Sequence, residues 1–96
     1  MNNPFLCAVA ADVDPKTRVV EITLDDGNVY RCSLADVSDR LRLVDASLLT
    51  DWEWICPKAG MHWPAVDEDL SIEYLVANGF LCNQTVGASS ESVQVA

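Results

Sequence analysis

The sequence predicts a small α+β domain in which an antiparallel sheet is joined by short helices and followed by a polar tail. Three observations predict it. Val20, Ile22 and Leu24 alternate with Glu21 and Thr23, the period of a sheet with one wet face. Leu34, Val37, Leu41, Val44 and Leu48 then fall at spacings of 3, 4, 3 and 4, a helical stripe. Residues 83–96 are polar, small and without period, a composition that predicts disorder. A chain of 96 residues is the size of one domain. The domain is assigned to residues 1–82, with 83–96 as its flexible tail.

Residues 5–11 read as a first strand, with Pro4 before it and a turn over 12–15. Residues 17–24 form the second strand and residues 29–34 the third. Between them Asp25-Asp26-Gly27-Asn28 is a hairpin turn. A two-residue loop would set Ile22 opposite Arg31 and mix the faces. A three-residue loop, Asp26-Gly27-Asn28, pairs Leu24 with Tyr30, Ile22 with Cys32 and Val20 with Leu34. It places Asn28 in the left-handed conformation that Asn tolerates.

In the helical stretch, Ser38 and Asp45 are both N-cap candidates, so one broken helix and two short ones are both open. Residues 52–56 and 61–63 read as short strands joined by a turn over 57–60, with Trp52, Trp54 and Cys56 on one face. Ser71 caps a helix that runs through Asn78, with Ile72, Leu75 and Val76 as its apolar face. Gly79 is placed at its C′ position. Phe80-Leu81-Cys82 can then return to the sheet.

Fifteen acidic and six basic residues give a formal charge of −9. Phosphate backbones and anionic membranes repel such a chain, so direct binding to nucleic acid or membrane is not expected. The charge suits a basic protein partner, and it also serves solubility. Half of the residues are apolar and the mean hydropathy is +0.12. A domain this short leaves apolar surface for a partner or a second copy, so a homo-oligomer stays open. Four cysteines stand at 7, 32, 56 and 82, widely spaced among apolar neighbours. With no positive n-region ahead of a leader-like run, they read as reduced thiols of a cytoplasmic protein. No apolar run approaches the ~18 residues of a membrane span.

The richest stretch is Gly60-Met61-His62-Trp63-Pro64-Ala65-Val66-Asp67-Glu68-Asp69-Leu70-Ser71, which holds the only histidine and a tight acidic cluster. A zinc site would need more histidine or paired cysteines than this. Asp67 and Asp69 lack the glycine and terminal glutamate of the twelve-residue calcium loop. Cys–His catalysis would require Cys56 beside His62, but a 57–60 turn sets Cys56 against Met61. No cofactor-binding fingerprint is present. These readings favour binding over catalysis. Three tryptophans are more than one face of a small sheet can bury, and indoles anchor interfaces. The contact residues assigned from sequence are Trp52, Trp54, His62, Trp63, Asp67, Glu68 and Asp69.

Gly60-Met61-His62-Trp63-Pro64 followed by Asp67-Glu68-Asp69-Leu70-Ser71 resembles the bacterial family catalogued as domain of unknown function 2442. Val19-Val20-Glu21-Ile22, Asp26-Gly27 and the strand ending in Leu34-Ala35-Asp36 are similar too. The resemblance covers residues 5–78 and implies a small α+β domain with an antiparallel sheet. It implies no activity. Some members are encoded beside another small protein, which implies a toxin–antitoxin-like pair. The leading expectation is a non-enzymatic cytoplasmic module that is the acidic partner of such a pair. A self-pairing homo-oligomer and an acidic mimic of nucleic acid are the alternatives.

Overall fold

The computed structural model describes residues 7–82. Four strands make the larger sheet: β1 (Ala8–Asp14), β2 (Val19–Leu24), β3 (Val29–Ser33) and β7 (Phe80–Leu81), in the order β1-β2-β3-β7. Three make the smaller: β4 (Glu53–Ile55), β5 (Gly60–Trp63) and β6 (Glu68–Ser71), in chain order. All pairings are antiparallel. Helices α1 (Leu34–Val37) and α2 (Asp39–Leu43) and a 3-10 turn (Ala46–Leu48) connect the sheets. Helix α3 (Ile72–Ala77) leads from β6 to β7. The α+β class agrees with the sequence reading. The expected sheet divides in two because 68–71, read as a charged approach to a helix, is a third strand beside β5.

The first strand lies further along the chain than predicted. Ala8 faces Leu24, Ala11 faces Ile22 and Val13 faces Val20, with a register shift between Ala8 and Ala10. Ala8 and Ala11 both meet the core although they are three residues apart, which the one-residue bulge makes possible. Burial of Val13 carries the strand through the expected 12–15 turn. The turn falls on 15–18, where Arg18 takes φ 61° and donates its N–H to Asp14 O at 2.8 Å. Residues 5 and 6 of the expected strand and the expected tail 83–96 lie outside the described residues.

The β2–β3 hairpin has the expected three-residue loop, shifted by one residue. It is Asp25-Asp26-Gly27, closed by Leu24 N–H to Asn28 O at 2.9 Å. Ile22 therefore faces Tyr30 and Val20 faces Cys32, and the inward and outward sets are preserved. Gly27 rather than Asn28 takes the left-handed position, at φ 91°. Glycine adopts it at lower cost, and the Asp26 carboxylate is left to accept from Asn28 N–H at 2.9 Å.

The helical stripe breaks at Ser38, which is extended at φ −149°. Its hydroxyl accepts from Leu41 N–H at 3.2 Å and donates to the Glu68 carboxylate. Arg18 Nη1 donates to Leu41 O and Val44 O at 2.9 and 2.8 Å. A cation thus covers the open carbonyls at the end of α2. The Asp45 side chain makes no capping bond to a backbone N–H of the 3-10 turn and instead accepts from Ser47 Oγ at 3.0 Å.

Both sheets feed one core, which includes Val20, Ile22, Cys32, Leu34, Leu41, Leu49, Met61, Trp63, Ile72 and Leu75. The Trp63 ring is 1 % exposed and its Nε1–H donates to Leu49 O at 2.9 Å. Burial pushes the Cys32 thiol pKa up, with Asp36 adding to it, so it acts as a small hydrophobe. Cys56, by contrast, is exposed in the β4–β5 turn.

Gly79 follows α3 as expected, for a different reason. Its φ is not positive. A Cβ there would stand 2.5 Å from Arg31 O and 2.9 Å from Leu75 O. Close backbone approach requires this glycine. Gly79→Ala is expected to destabilise the fold by about 1–3 kcal/mol in urea titration with an unchanged m-value. Trp63→Phe should cost about 2–4 kcal/mol in the same assay, combining lost volume with an orphaned Leu49 carbonyl.

Candidate functional site

The small sheet has two unlike faces. Trp54, Met61, Leu70, Trp63 and Glu68 lie on the inner one, as the pairs Trp54–Met61–Leu70 and Trp63–Glu68 require. The outer face carries two rungs across all three strands. One is Glu53–His62–Asp69 and the other is Ile55–Gly60–Ser71. The β4–β5 turn sets this register. It spans residues 56–59, one residue earlier than expected, with Cys56 at φ 67° and Ala59 N–H donating to Ile55 O at 3.1 Å. Met61 consequently faces Trp54 rather than Cys56.

His62 Nδ1 is bonded to Asp69 Oδ1 in a short contact. The imidazole pKa is raised, first by that hydrogen bond; desolvation opposes it, and the negative charges of Asp69, Glu53 and Asp67 add to the rise. Asp69 Oδ2 and the Glu53 carboxylate accept no hydrogen bond and make no close ion pair among the described residues.

Beside this rung is a hollow of about 430 Å³, lined by Ile55, Cys56, Ala59, Gly60, Asp69, Leu70 and Ser71. Its floor is apolar and its rim carries Asp69. A second groove, of about 450 Å³, crosses the outer face of the large sheet between Asp12, Asp14, Thr17, Val19, Glu21 and Arg31. One ion pair and one backbone contact occupy its polar groups in part. Glu21 pairs with Arg31 at 3.0 Å, and Asp14 accepts from Lys16 N–H at 2.9 Å.

The structure brings together some of the residues expected to act and separates others. His62 and Asp69 meet. Trp52 and Trp54 pack edge to face, with centroids 4.9 Å apart, and both are half-buried against the core. Lys58 Nζ lies 5.8 Å from the Trp54 centroid. Trp63 is a core residue, which corrects its assignment as a contact. Glu68 turns inward to Ser38, which corrects its assignment too. Asp67 is exposed at φ 53°, and with Val66 it offers backbone carbonyls to Arg40 Nη1. Sequence reasoning missed Glu53, Ile55, Ala59 and Gly60, because their common face follows only from a three-strand register.

A family model described as "Protein of unknown function (DUF2442)" matches residues 10–80. The chain belongs to this family. The DUF2442 match spans both sheets and the whole of the candidate site. No curated protein and no solved structure matches the chain. Among the described residues of this DUF2442 domain, no group of three or more His, Cys, Asp or Glu is placed to hold a metal ion. No helix among them is long and apolar enough to cross a membrane.

His62 gains a partner on folding, so its folded pKa lies above its unfolded value near ~6.5. The pair's contribution is complete below the unfolded value and is lost as pH rises through the folded one. NMR titration should therefore find His62 protonated above pH ~6.5, and Asp69→Asn should return its pKa toward that value. Thermal stability should fall over the same window in the native protein and less in the variant.

Proposed function

We propose that this DUF2442 domain is a non-catalytic protein-binding module, the acidic member of a two-protein pair, and that it docks through the outer face of its small sheet. The supporting observation is the hollow above Gly60, an apolar recess edged by an uncommitted carboxylate oxygen on a chain of net charge −9. Apolar floor and charged rim are the anatomy of a small contact site. The summed charge steers a basic partner toward it. Among the described residues, His62 and Asp69 form a hydrogen-bonded pair with no hydroxyl or thiol bonded to the imidazole, so this arrangement lacks the nucleophile of a triad. Against the alternative of a nucleic-acid mimic, Arg31 interrupts the carboxylates on the large sheet.

Self-association remains a second reading, because of edge strand β7. Its Phe80 and Leu81 side chains are 76 % and 56 % exposed, and an edge strand can pair with another.

Capture of the tagged chain's partners at low salt should recover one basic protein in stoichiometric amount. Its association rate should fall about tenfold or more between low and physiological salt. Recovery of the chain alone, with light scattering giving a dimer mass, would replace this reading with self-association. A salt-independent rate would remove the steering role of the carboxylates.

A further inference from the structure

Three properties of the hollow restrict what can fill it. Gly60 lies on the central strand between Ile55 and Ser71, with the Ile55 side chain over it at the edge of the recess. A Cβ on Gly60 would stand 2.9 Å from Ile55 Cγ1; glycine here lets Ile55 lie in place as a wall of the hollow. Ile55 and Ala59 supply apolar walls, which favour an alkyl stem over a polar or branched head. At the rim, His62 occupies Asp69 Oδ1 and leaves Oδ2 as the remaining acceptor of that carboxylate.

We propose that this hollow receives a lysine side chain of the partner protein, its methylenes along Ile55 and Ala59 and its ammonium on Asp69 Oδ2. The proposal rests on the partner-binding reading and names the chemistry of that partner's anchor. An ammonium is a compact point charge on a slim stem and needs a single acceptor, whereas a guanidinium seeks two acceptors in one plane. His62 holds the Asp69 carboxylate in place, so less freedom is lost when the cation arrives. Glu53, on the other side of His62, adds a second negative charge at the same end. Lys58, in the adjoining turn, lies against Trp54.

The test is an NMR titration of the full chain, labelled with nitrogen-15, at low salt. Three blocked tripeptides with glycine on either side of a central residue serve as probes. The central residue is lysine, acetyl-lysine or norleucine. The lysine peptide should shift the amides of Ile55, Gly60 and Asp69, and its occupancy should lower the His62 pKa, because a second cation beside the imidazole disfavours its protonation. The acetyl-lysine and norleucine peptides should bind about fivefold more weakly. Asp69→Asn should abolish that preference, while its undisturbed spectrum elsewhere reports an intact fold. Equal binding of lysine and norleucine would make the hollow an apolar site and overturn the proposal. So would shifts confined to the groove at Asp12 and Arg31, or no shifts at the hollow with any probe. If a basic partner is captured while the hollow ignores lysine, the anchor is wrong and the module reading stands. If the hollow selects lysine and no partner is captured, the module reading fails.

Discussion

The indole of Trp63 sets the geometry on which the rest of the molecule depends. It is the largest side chain in the core, and it carries a polar N–H into a place without water. That group must find an acceptor, or its burial would cost a good part of what its area contributes. It finds Leu49 O, fourteen residues earlier, just past the 3-10 turn. One bond therefore fixes the connector against the central strand of the small sheet. With Trp63 turned inward, alternation turns His62 outward and Met61 is set against Trp54 and Leu70. The outer rung of Glu53, His62 and Asp69 is thus a consequence of where the tryptophan packs.

The excess of acid is placed by the same logic. Carboxylates near the core are tied down: Glu68 takes the hydroxyl of Ser38, a buried residue that also caps α2. Those at turns hold backbone N–H groups, as Asp14 and Asp26 do. Basic residues act largely within the chain. Arg18 and Arg40 donate to carbonyls, and Arg31 and Arg42 pair with Glu21 and Asp39. Little positive charge is left to offset the uncommitted carboxylates at the surface, and the field around the molecule is accordingly negative.

What could be read from sequence was what local chemistry decides. Val20, Ile22 and Leu24 declare a strand without help from distant residues, and Ser38 and Ser71 declare their helix starts. Strand β6 was hidden because three of its four residues are polar. Its outer positions meet solvent, and its inner Glu68 is polar for a partner thirty positions away. The same separation in sequence concealed the fate of Trp63, since nothing near it announces Leu49 as an acceptor. Trp52 and Trp54, which do share a face, could be paired from their spacing alone. The hollow was illegible for a different reason. It is bounded by residues of all three strands of the small sheet and of the β4–β5 turn, which come together only when those strands are in register.

Strand β7 holds the far edge of the large sheet with two residues, and its partner β3 lies some fifty positions back in the chain. A ladder so short and so non-local is among the first to open and the last to form. When it opens, the backbone of β3 from Tyr30 to Arg31 becomes a vacant template, ready to accept any extended segment that offers the same spacing of donors and acceptors. Gly79, by allowing the chain to pass against Arg31 O, sets the point from which β7 covers that backbone.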